Sequence, residues 1–272
     1  MKGMRERCCA SKGLKMARIV RFLHNNQVEY GLLEEDSVHQ LSGEVYGNFE
    51  QGSRLASYAD LKLLSPCMPT KIVAVGSNYR GHITEVGAKV PDAPILFLKP
   101  PSSVIGPGDA IVMPATSTEI MFEAELAVVM KIGGRHIPQS KVVSHVLGYT
   151  CANDVTANDL ARVDPTVTRA KGFDTFCQLG PCIATDLSAE HLTIRSFVNG
   201  RVRQDSSSRD MLVQVSQLVS YVSQVMTLEA GDVILTGTPA GADTIRPGDL
   251  IEVEIEGIGT LANRAIAEST LR

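Results

Sequence analysis

Two glutamates in a strongly apolar segment are the first residues whose types and spacing suggest chemistry. Glu123 and Glu125 belong to the run Ile120-Met-Phe-Glu-Ala-Glu-Leu-Ala-Val-Val-Met130. If the run is a β-strand, its two-residue period puts both carboxylates on one face and apolar side chains on the other. Carboxylates this close repel each other and burial penalises both, so a divalent cation would be needed to neutralise them. A solvent-facing edge strand would need no cation, and this segment alone favours the two interpretations equally.

A third carboxylate follows in the segment Gly148-Tyr-Thr-Cys-Ala-Asn-Asp-Val-Thr-Ala-Asn-Asp159. Asp154 stands at the end of a strand-like run and before a predicted short helix, so it could be a third oxygen ligand or a helix cap. Asp159 has the same two interpretations, with capping or a salt bridge favoured. Three carboxylates without a cluster of thiols or imidazoles suit Mg²⁺, Mn²⁺ or Ca²⁺ better than zinc.

A histidine and a glutamate form a candidate proton-transfer pair in Gly76-Ser-Asn-Tyr-Arg-Gly-His-Ile-Thr-Glu85. On a helix, His82 and Glu85 are neighbours three positions apart. A carboxylate that orients an imidazole makes it a better general base near neutral pH. Surface pairs of this kind are far commoner than catalytic ones. The remaining histidines have no such partner nearby in sequence and are interpreted as structural or surface residues: His24, His39, His136, His145 and His191.

Two further segments could contact an anionic substrate. Lys171 is followed by Gly172 and stands close to two phenylalanines, so it could point into a pocket, although a surface lysine that buries only its stem is the alternative. The run Leu235-Thr-Gly-Thr-Pro-Ala-Gly241 follows a predicted strand and could offer backbone N–H groups to a carboxylate. It lacks the spacing of a phosphate-binding P-loop.

The elements that must position these residues are predicted to be mostly strands. Residues 16–65 read as short strands with a hairpin at Asn25-Asn26, and prolines in residues 65–70 mark a linker. We therefore expect a loose extension over residues 1–15, a small N-terminal β-rich domain over residues 16–65 and a main domain over residues 70–272.

Turn signals and one helical pattern organise the main domain. Three turns ending in Gly-Asp, at residues 107–109, 230–232 and 247–249, each precede a β-branched run, and Asn199-Gly200 predicts a second hairpin. Apolar residues at helical spacing predict one long helix over residues 211–226, capped by Ser208 or Asp210, with shorter helices over residues 79–86 and 139–145. The fold class is α+β, dominated by β structure.

Composition excludes several classes of function. The chain has 272 residues and a net charge of −4 without a basic stripe, which disfavours a nucleic-acid partner. It contains no apolar run of the roughly 18 residues that a membrane span needs. The six cysteines contain no C-x-x-C pair, so a disulfide framework or a zinc site is not expected and the cytoplasm is the predicted location. They are Cys8, Cys9, Cys67, Cys151, Cys177 and Cys182.

Taken in order, these segments resemble the fumarylacetoacetate hydrolase family, in particular its bacterial type. The matching stretches run from about Lys71 to Ile266: GSNYRGHITE, PILFLKP, FEAELAVVM, GYTCANDVTANDL, KGFDTFCQLGP, LTGTPAG and PGDLIEVEIEGIGTL. The resemblance implies a mixed β-roll catalytic domain, a smaller N-terminal domain and a homodimer. It also implies roles for the candidate residues: Glu123, Glu125 and Asp154 as ligands of Mg²⁺ or Mn²⁺, with Ca²⁺ as an alternative; His82 and Glu85 as a dyad on a mobile lid; Lys171 and Thr238 as substrate contacts.

The resemblance implies a small-molecule keto acid as substrate, with the cation acting as a Lewis acid. The first expectation is cleavage of a C–C bond, by hydrolysis of an acylpyruvate-like or fumarylacetoacetate-like acid or by decarboxylation of an oxaloacetate-like acid, with Lys171 adding positive charge. A 2-hydroxymuconate-type isomerase or hydratase of aromatic catabolism is the alternative, and a non-catalytic keto-acid-binding protein is the third.

One segment departs from the family pattern. Family members commonly carry Thr-Ala-Arg-Asp-x-Gln after the metal aspartate, whereas this chain reads Thr156-Ala-Asn-Asp-Leu-Ala161. Asn158 and Ala161 replace the arginine and glutamine, and Arg162 stands one position beyond the expected glutamine. This departure weakens the case for fumarylacetoacetate itself as the substrate.

Overall fold

The N-terminal strands form an antiparallel meander. The computed structural model describes residues 16–271, and the predicted extension, residues 1–15, lies outside them. The first five strands are β1 (Arg18–His24), β2 (Gln27–Glu34), β3 (Ser37–Gly43), β4 (Phe49–Ser57) and β5 (Lys62–Leu64). His24 pairs with Gln27, so the β1–β2 turn has only two residues, and Asn25 and Asn26 adopt φ values of 50° and 61°. Asparagine tolerates this left-handed conformation, which explains why the turn is tight without a glycine.

Within residues 16–271, fourteen further strands and five α-helices follow. The strands are β6 (Ile72–Gly76), β7 (Ile95–Lys99), β8 (Val104–Ile105), β9 (Ile111–Met113), β10 (Ile120–Met121), β11 (Ala124–Met130), β12 (Val146–Asp154), β13 (Thr156–Ala157), β14 (Cys177–Ala184), β15 (Thr193–Val198), β16 (Arg201–Ser207), β17 (Val233–Leu235), β18 (Leu250–Ile255) and β19 (Gly259–Ala267). The helices are α1 (Arg80–Glu85), α2 (Val142–His145), α3 (Asn158–Ala161), α4 (Thr168–Lys171) and α5 (Val215–Val225). The prediction of a β-dominated fold with few helices is confirmed.

One twelve-stranded mixed sheet runs through both parts of the chain. Its order is β4-β3-β2-β1-β14-β12-β11-β17-β6-β7, with β5 paired to β1 and β8 paired to β14. β1 joins β14 through Arg18 opposite Ala184 and Ile19 opposite Ile183. The predicted domain division at residues 65–70 stays a prediction, since strands on either side of it share hydrogen bonds in a single sheet.

A second sheet of five strands, in the order β16-β15-β18-β19-β9, packs on the first. Asn199 and Gly200 form the predicted two-residue turn between β15 and β16, and β18 alternates half-buried and buried residues. The largest core cluster combines residues from both sheets and from α5, including Val128, Ile194, Leu218 and Val253. The packing of this core places the start of β11 beside β15 and β16.

The long predicted helix begins later than its apolar pattern indicated. α5 starts at Val215, with Gln214 as the N-cap residue in a capping box with Gln217, and neither Ser208 nor Asp210 caps it. Met211 instead forms an isolated β-bridge with Tyr79, and the Leu212 N–H donates to the Asn78 carbonyl. Met211 continues the apolar stripe because it packs into the core from an extended segment.

The glutamate-bearing strand lies inside the sheet. β11 pairs with β12 on one side and β17 on the other, and all seven of its residues are buried. The interpretation of residues 120–130 as a solvent-facing edge strand is therefore wrong. Ala124, Leu126 and Val128 face one core cluster, while Ala127 and Val129 face another.

The cysteines of the described part of the chain are Cys67, Cys151, Cys177 and Cys182, and all four are buried free thiols. Burial raises the pKa of the Cys67 thiol to about 12, as expected for small residues that serve packing. Cys8 and Cys9 lie outside the described residues. Within residues 16–271, no helix has the length and apolar character needed to cross a membrane.

Candidate active site

Three carboxylates converge where β11 begins and β12 ends. Glu123 lies in the short break between β10 and β11, Glu125 lies in β11, and Asp154 is the last residue of β12. One oxygen from each lies within 4.8 Å of the others. Glu125 and Asp154 are buried, and Glu123 is partly buried. This is the trio that the resemblance to the family implied as metal ligands.

Backbone and hydroxyl hydrogen bonds hold the three carboxylates together. The Asp154 N–H donates to the Glu123 carbonyl over 2.9 Å, which ties the two segments at their ends. The Thr156 hydroxyl donates to Glu123 Oε1 over 2.7 Å. The Gly237 N–H donates to Glu125 Oε2 over 2.7 Å. Asp154 therefore belongs to the acidic group and does not act as the side-chain cap of α3, whose first turn has no such cap.

Two buried lysines lie against the carboxylates. Lys171 Nζ lies 2.9 Å from Glu123 Oε2 and 2.7 Å from Asp154 Oδ2, and it stands 5.1 Å from the centre of the Phe97 ring. The alternative of a surface lysine is therefore wrong for Lys171. Lys99, which was not predicted from the sequence, lies 2.6 Å from Asp154 Oδ1 and donates to the carbonyls of Lys171 and Val155. The sequence does contain a feature that points to Lys99. It is a single charged residue at the end of the apolar strand Ile95–Lys99, just as Glu123 and Glu125 are charged residues in an apolar run.

Charge is not balanced within this group. Burial, with the neighbouring carboxylates of Asp154 and Glu123, holds the pKa of Glu125 well above its ordinary value. Burial alone would raise the pKa of Asp154, but the ammonium groups of Lys171 and Lys99 lower it below the ordinary range. Burial opposes the charge of Lys171, yet Asp154 and Glu123 raise its pKa. Two lysines thus compensate two of the three carboxylates, and Glu125 is left over.

A divalent cation fits this donor set. The surplus carboxylate supplies the negative charge that a cation would neutralise, and carboxylate oxygens are the ligands that Mg²⁺ and Mn²⁺ prefer. Asp154 Oδ1 is fully buried, and among the described residues the cation beside it is the Lys99 ammonium at 2.6 Å. Glu123, Glu125 and Asp154 are therefore the residues that could hold the ion.

The predicted dyad lies on α1, which follows β6. His82 Nδ1 stands 3.7 Å from Glu85 Oε2, beyond hydrogen-bond distance, and this buried nitrogen has no hydrogen-bond partner among the described residues. The Gly241 N–H donates to both oxygens of Glu85, over 3.2 Å and 3.0 Å. Glu85 is thus held by the loop, whereas His82 Nδ1 makes no hydrogen bond to the described residues.

The Gly-Thr loop (residues 235–241) connects the two groups. It was predicted to offer N–H groups to a carboxylate, and in the structure these carboxylates belong to the protein itself, Glu125 and Glu85. Thr238 is buried, with its hydroxyl donating to the Ala124 carbonyl over 2.9 Å. Its predicted contact with substrate stays a prediction.

The segment that departs from the family pattern forms its own ion pair. Arg162 donates from both terminal nitrogens to Glu119, and Asn158 donates to Glu119 Oε1 over 2.5 Å. The hydrogen bonds from Arg162 and Asn158 lower the pKa of Glu119 to about 2. Asp159 accepts from Ser117, Thr118 and the Leu160 N–H and so ties α3 to residues 117–118. The residue that precedes α3 is Ala157 and the helix has no side-chain cap, so the interpretation of Asp159 as a capping residue is wrong. Arg162 is occupied by Glu119 and does not replace the missing family side chains in this arrangement.

Two sizeable cavities lie elsewhere. One of about 710 Å³ is lined by the starts of α2, β12 and α5 and by residues 186–191. Another of about 290 Å³ lies between β1 and residues 104–109. Neither is lined by any of the three carboxylates. We place the candidate site at the convergence of charged groups and not at either cavity. Groups with perturbed pKa values cluster at functional sites, and these groups are found at the carboxylates.

A mixed β-roll that brings three carboxylates to the ends of its central strands defines a class of enzyme. The chain belongs to the fumarylacetoacetate hydrolase family: the family model described as "Fumarylacetoacetate (FAA) hydrolase C-terminal" matches residues 71–266. A second model, described as "Rv2993c-like, N-terminal", matches residues 17–66. The resemblance drawn from the sequence is thereby confirmed.

The proteins to which this chain is similar are named after several different reactions. It is 38% identical over 232 residues to the oxaloacetate tautomerase YisK of Bacillus subtilis, covering 80% of this chain and 77% of that protein. Its structure is similar to that of 2-hydroxyhepta-2,4-diene-1,7-dioate isomerase from Mycobacterium marinum, with a TM-score of 0.87, 37% identity and coverage of 93% and 99%. It is also similar to fumarylacetoacetate hydrolase from Exiguobacterium antarcticum, with a TM-score of 0.84, 34% identity and coverage of 93% and 100%.

Proposed function

We propose that this chain is a metal-dependent tautomerase or isomerase of a small 2-keto dicarboxylic acid, with oxaloacetate as the first candidate. The observation that carries the proposal is the Gly-Thr loop, which binds Glu125 of the acidic group at one end and Glu85 of the dyad at the other. A cation site and a proton-transferring imidazole are the two parts that enolisation next to a keto group requires. The names of the tautomerase and isomerase relatives support the same reaction class.

In the proposed reaction, His82, Glu85 and Lys171 have separate roles. His82 takes a proton from the carbon next to the keto group, so that a C–H bond breaks and its electron pair moves toward the keto oxygen. The same proton, or another from solvent, is delivered to that oxygen to give the enol. Glu85 stabilises the protonated imidazole between these steps. Lys171 stays protonated because Asp154 and Glu123 raise its pKa, so it serves as a fixed positive charge near the developing oxyanion and not as the base.

A bound Mg²⁺ or Mn²⁺ would supply Lewis-acid stabilisation of negative charge on the keto oxygen. Glu123, Glu125 and Asp154 would hold it. Lys99 and Thr156 fix two of these carboxylates, Asp154 and Glu123, in place, and such supporting contacts commonly matter for metal affinity almost as much as the ligands.

Cleavage of a C–C bond is the second candidate, as first expected from the sequence. Glu85 is 44% exposed and the nearby His82 Nδ1 is free of hydrogen bonds within the described residues, so a water molecule could be oriented between them for attack on a second carbonyl. The similarity to a fumarylacetoacetate hydrolase supports this candidate. Decarboxylation, a role in aromatic catabolism, a homodimer, a cytoplasmic location and the non-catalytic binding protein stay predictions.

Proton NMR in D₂O with the metal-restored protein would test the proposal. With oxaloacetate, we expect deuterium to enter the carbon next to the keto group faster than with the metal ion alone, while the carbon skeleton stays intact. Loss of CO₂ would show a decarboxylase. With acetylpyruvate, formation of two shorter acids would show the second candidate. Binding of both acids without any of these changes would favour the non-catalytic protein and overturn the proposal.

A further inference from the structure

A buried glutamine in the five-stranded sheet uses every hydrogen-bonding position of its side chain. Gln204 lies in β16 and is fully buried. Its Oε1 accepts from the Ala124 N–H over 3.1 Å and from the Ser196 hydroxyl over 2.9 Å. Its Nε2 donates to the Thr238 hydroxyl over 2.7 Å and to the Pro239 carbonyl over 2.8 Å. An amide offers two acceptor and two donor positions, and all four are satisfied here.

The orientation of this amide follows from its partners. The Ala124 N–H can only donate, so the oxygen of Gln204 must face it. The Pro239 carbonyl can only accept, so the amide nitrogen must face the Gly-Thr loop. Replacing the amide by any group that cannot both donate and accept would break one of these two connections.

These partners lie on either side of the candidate site. Ala124 is the residue between Glu123 and Glu125, so Gln204 holds the backbone that separates the two glutamates. Thr238 and Pro239 lie in the Gly-Thr loop, between the N–H that binds Glu125 and the N–H that binds Glu85. The loop also approaches β16 directly, since a Cβ added to Gly241 would clash with the Arg203 carbonyl oxygen.

From this geometry we infer that Gln204 is a positioning residue that couples the acidic group to the dyad through the Gly-Thr loop. The inference rests on the proposed function for its catalytic consequence, but the coupling itself is structural. Without the amide, the loop loses two hydrogen bonds and the Gly237 and Gly241 N–H groups are no longer fixed against Glu125 and Glu85. Residues that orient the groups around a metal typically change its affinity about 10-fold to 100-fold when replaced.

The test compares Gln204→Met with a matched control. Methionine has nearly the same length and volume but neither donates nor accepts at these positions. Asn263→Leu is the control, because Asn263 is a buried amide in the same sheet that donates to the carbonyls of Gly106 and Asp109, away from the candidate site. Each variant is measured for amide hydrogen exchange in residues 235–241, for the Kd of Mn²⁺ and for kcat and KM with oxaloacetate.

We expect Gln204→Met to speed exchange in the Gly-Thr loop, raise the Kd of Mn²⁺ about tenfold and lower kcat more than it raises KM. Asn263→Leu should lower the midpoint of thermal unfolding by a similar amount without these three effects. The inference is overturned if Gln204→Met loses stability alone, with loop exchange and Mn²⁺ affinity equal to those of the control.

Two further outcomes remain decisive. If the wild-type protein does not act on keto acids, the proposed function fails, while loop exchange and Mn²⁺ affinity still test the coupling. If Gln204→Met does not fold, Gln204→Asn is measured in its place: it keeps an amide, but the side chain is one methylene too short to reach Ala124 and the loop together. Unchanged loop exchange in that variant would contradict the inference.

Discussion

At the scale of single residues, Glu125 is the carboxylate that the protein leaves uncompensated. Its neighbours Asp154 and Glu123 are paired with lysines, whereas its own pKa is raised by burial and by those two carboxylates. An acid whose pKa is higher in the folded state stabilises folding least at high pH: its contribution is fully present below the unfolded pKa and is lost as pH rises through the folded value. The metal-free protein should therefore carry a cost here that grows with pH.

Replacing Glu125 by glutamine should remove that cost. We expect Glu125→Gln to raise the free energy of unfolding of the metal-free protein by on the order of 1 kcal/mol at neutral pH, with a smaller gain in mild acid. The amide oxygen can still accept from the Gly237 N–H. Urea denaturation in the presence of a chelator measures the effect, and Mn²⁺ binding should be lost in the same variant. A destabilised Glu125→Gln protein would show that Glu125 is not under electrostatic strain.

The affinity for a cation should depend on pH for the same reason. Because the pKa of Glu125 is raised, a cation at this site competes with a proton up to a higher pH than it would at an ordinary glutamate. We therefore expect Mn²⁺ to bind more tightly as pH rises, with measurements between about 6 and about 8, and to release protons as it binds. Calorimetry in buffers of different ionisation enthalpy measures both quantities. Affinity that does not change over this range would mean that Glu125 is already ionised before the cation arrives.

At the scale of elements, the Gly-Thr loop is the part on which the site depends most. Gly241 has a φ of 95° and lies so close to the Arg203 carbonyl that a side chain has no room. Gly248 has a φ of 98°, and a Cβ added there would meet no described atom within 4 Å. Both glycines therefore adopt a backbone conformation that other residues rarely adopt, but only Gly241 also lacks space for a side chain.

Replacing each of these two glycines by alanine should separate the effect of backbone strain from the effect of a steric clash. We expect Gly248→Ala to cost about 1 kcal/mol of stability, as a left-handed residue should, and to leave turnover unchanged. Gly241→Ala should cost more and should lower kcat, because the displaced loop no longer holds Glu85 and Glu125. Urea denaturation and steady-state kinetics provide the comparison. Equal turnover in the two variants would mean that the position of the loop does not matter to catalysis.

At the scale of the whole molecule, the N-terminal strands share one sheet and one core with the catalytic strands. Ile19 in β1 is fully buried in the same cluster as Ala127, Val129 and Ile183. Val28, in the neighbouring strand β2, is 52% exposed. The structure therefore predicts that the N-terminal meander and the large sheet unfold together.

Replacing Ile19 by alanine should destabilise the whole chain. We expect a loss of about 2–5 kcal/mol, typical of buried isoleucine, in one cooperative transition. Val28→Ala, the exposed control, should change stability by less than about 0.5 kcal/mol. Circular dichroism and native-state hydrogen exchange across both parts of the chain are the measurements. Two separate transitions, with only the N-terminal strands affected by Ile19→Ala, would show that residues 16–65 fold on their own.

Local patterns predicted much of this fold and of the candidate site. The two hairpins and the apolar strand around Glu125 depend on neighbours in sequence, and each was predicted from them. What depends on distant contacts was not predicted: β1 meets β14 more than 150 residues away, and Met211 extends an apolar stripe without being helical. Lys99 and Gln204 were missed for the same reason, since only the folded chain brings them to Asp154 and to the Gly-Thr loop.

The most direct test of the central claim is the conversion of enol-oxaloacetate to its keto form, followed by ultraviolet absorbance. The protein is first stripped of metal and then restored with Mg²⁺ or Mn²⁺, and each rate is compared with that of the metal ion alone. We predict that the wild-type protein accelerates the conversion only after metal is restored, and that His82→Gln and Glu123→Gln do not. Equal rates with and without the wild-type protein, or acceleration that survives both substitutions, would contradict the account.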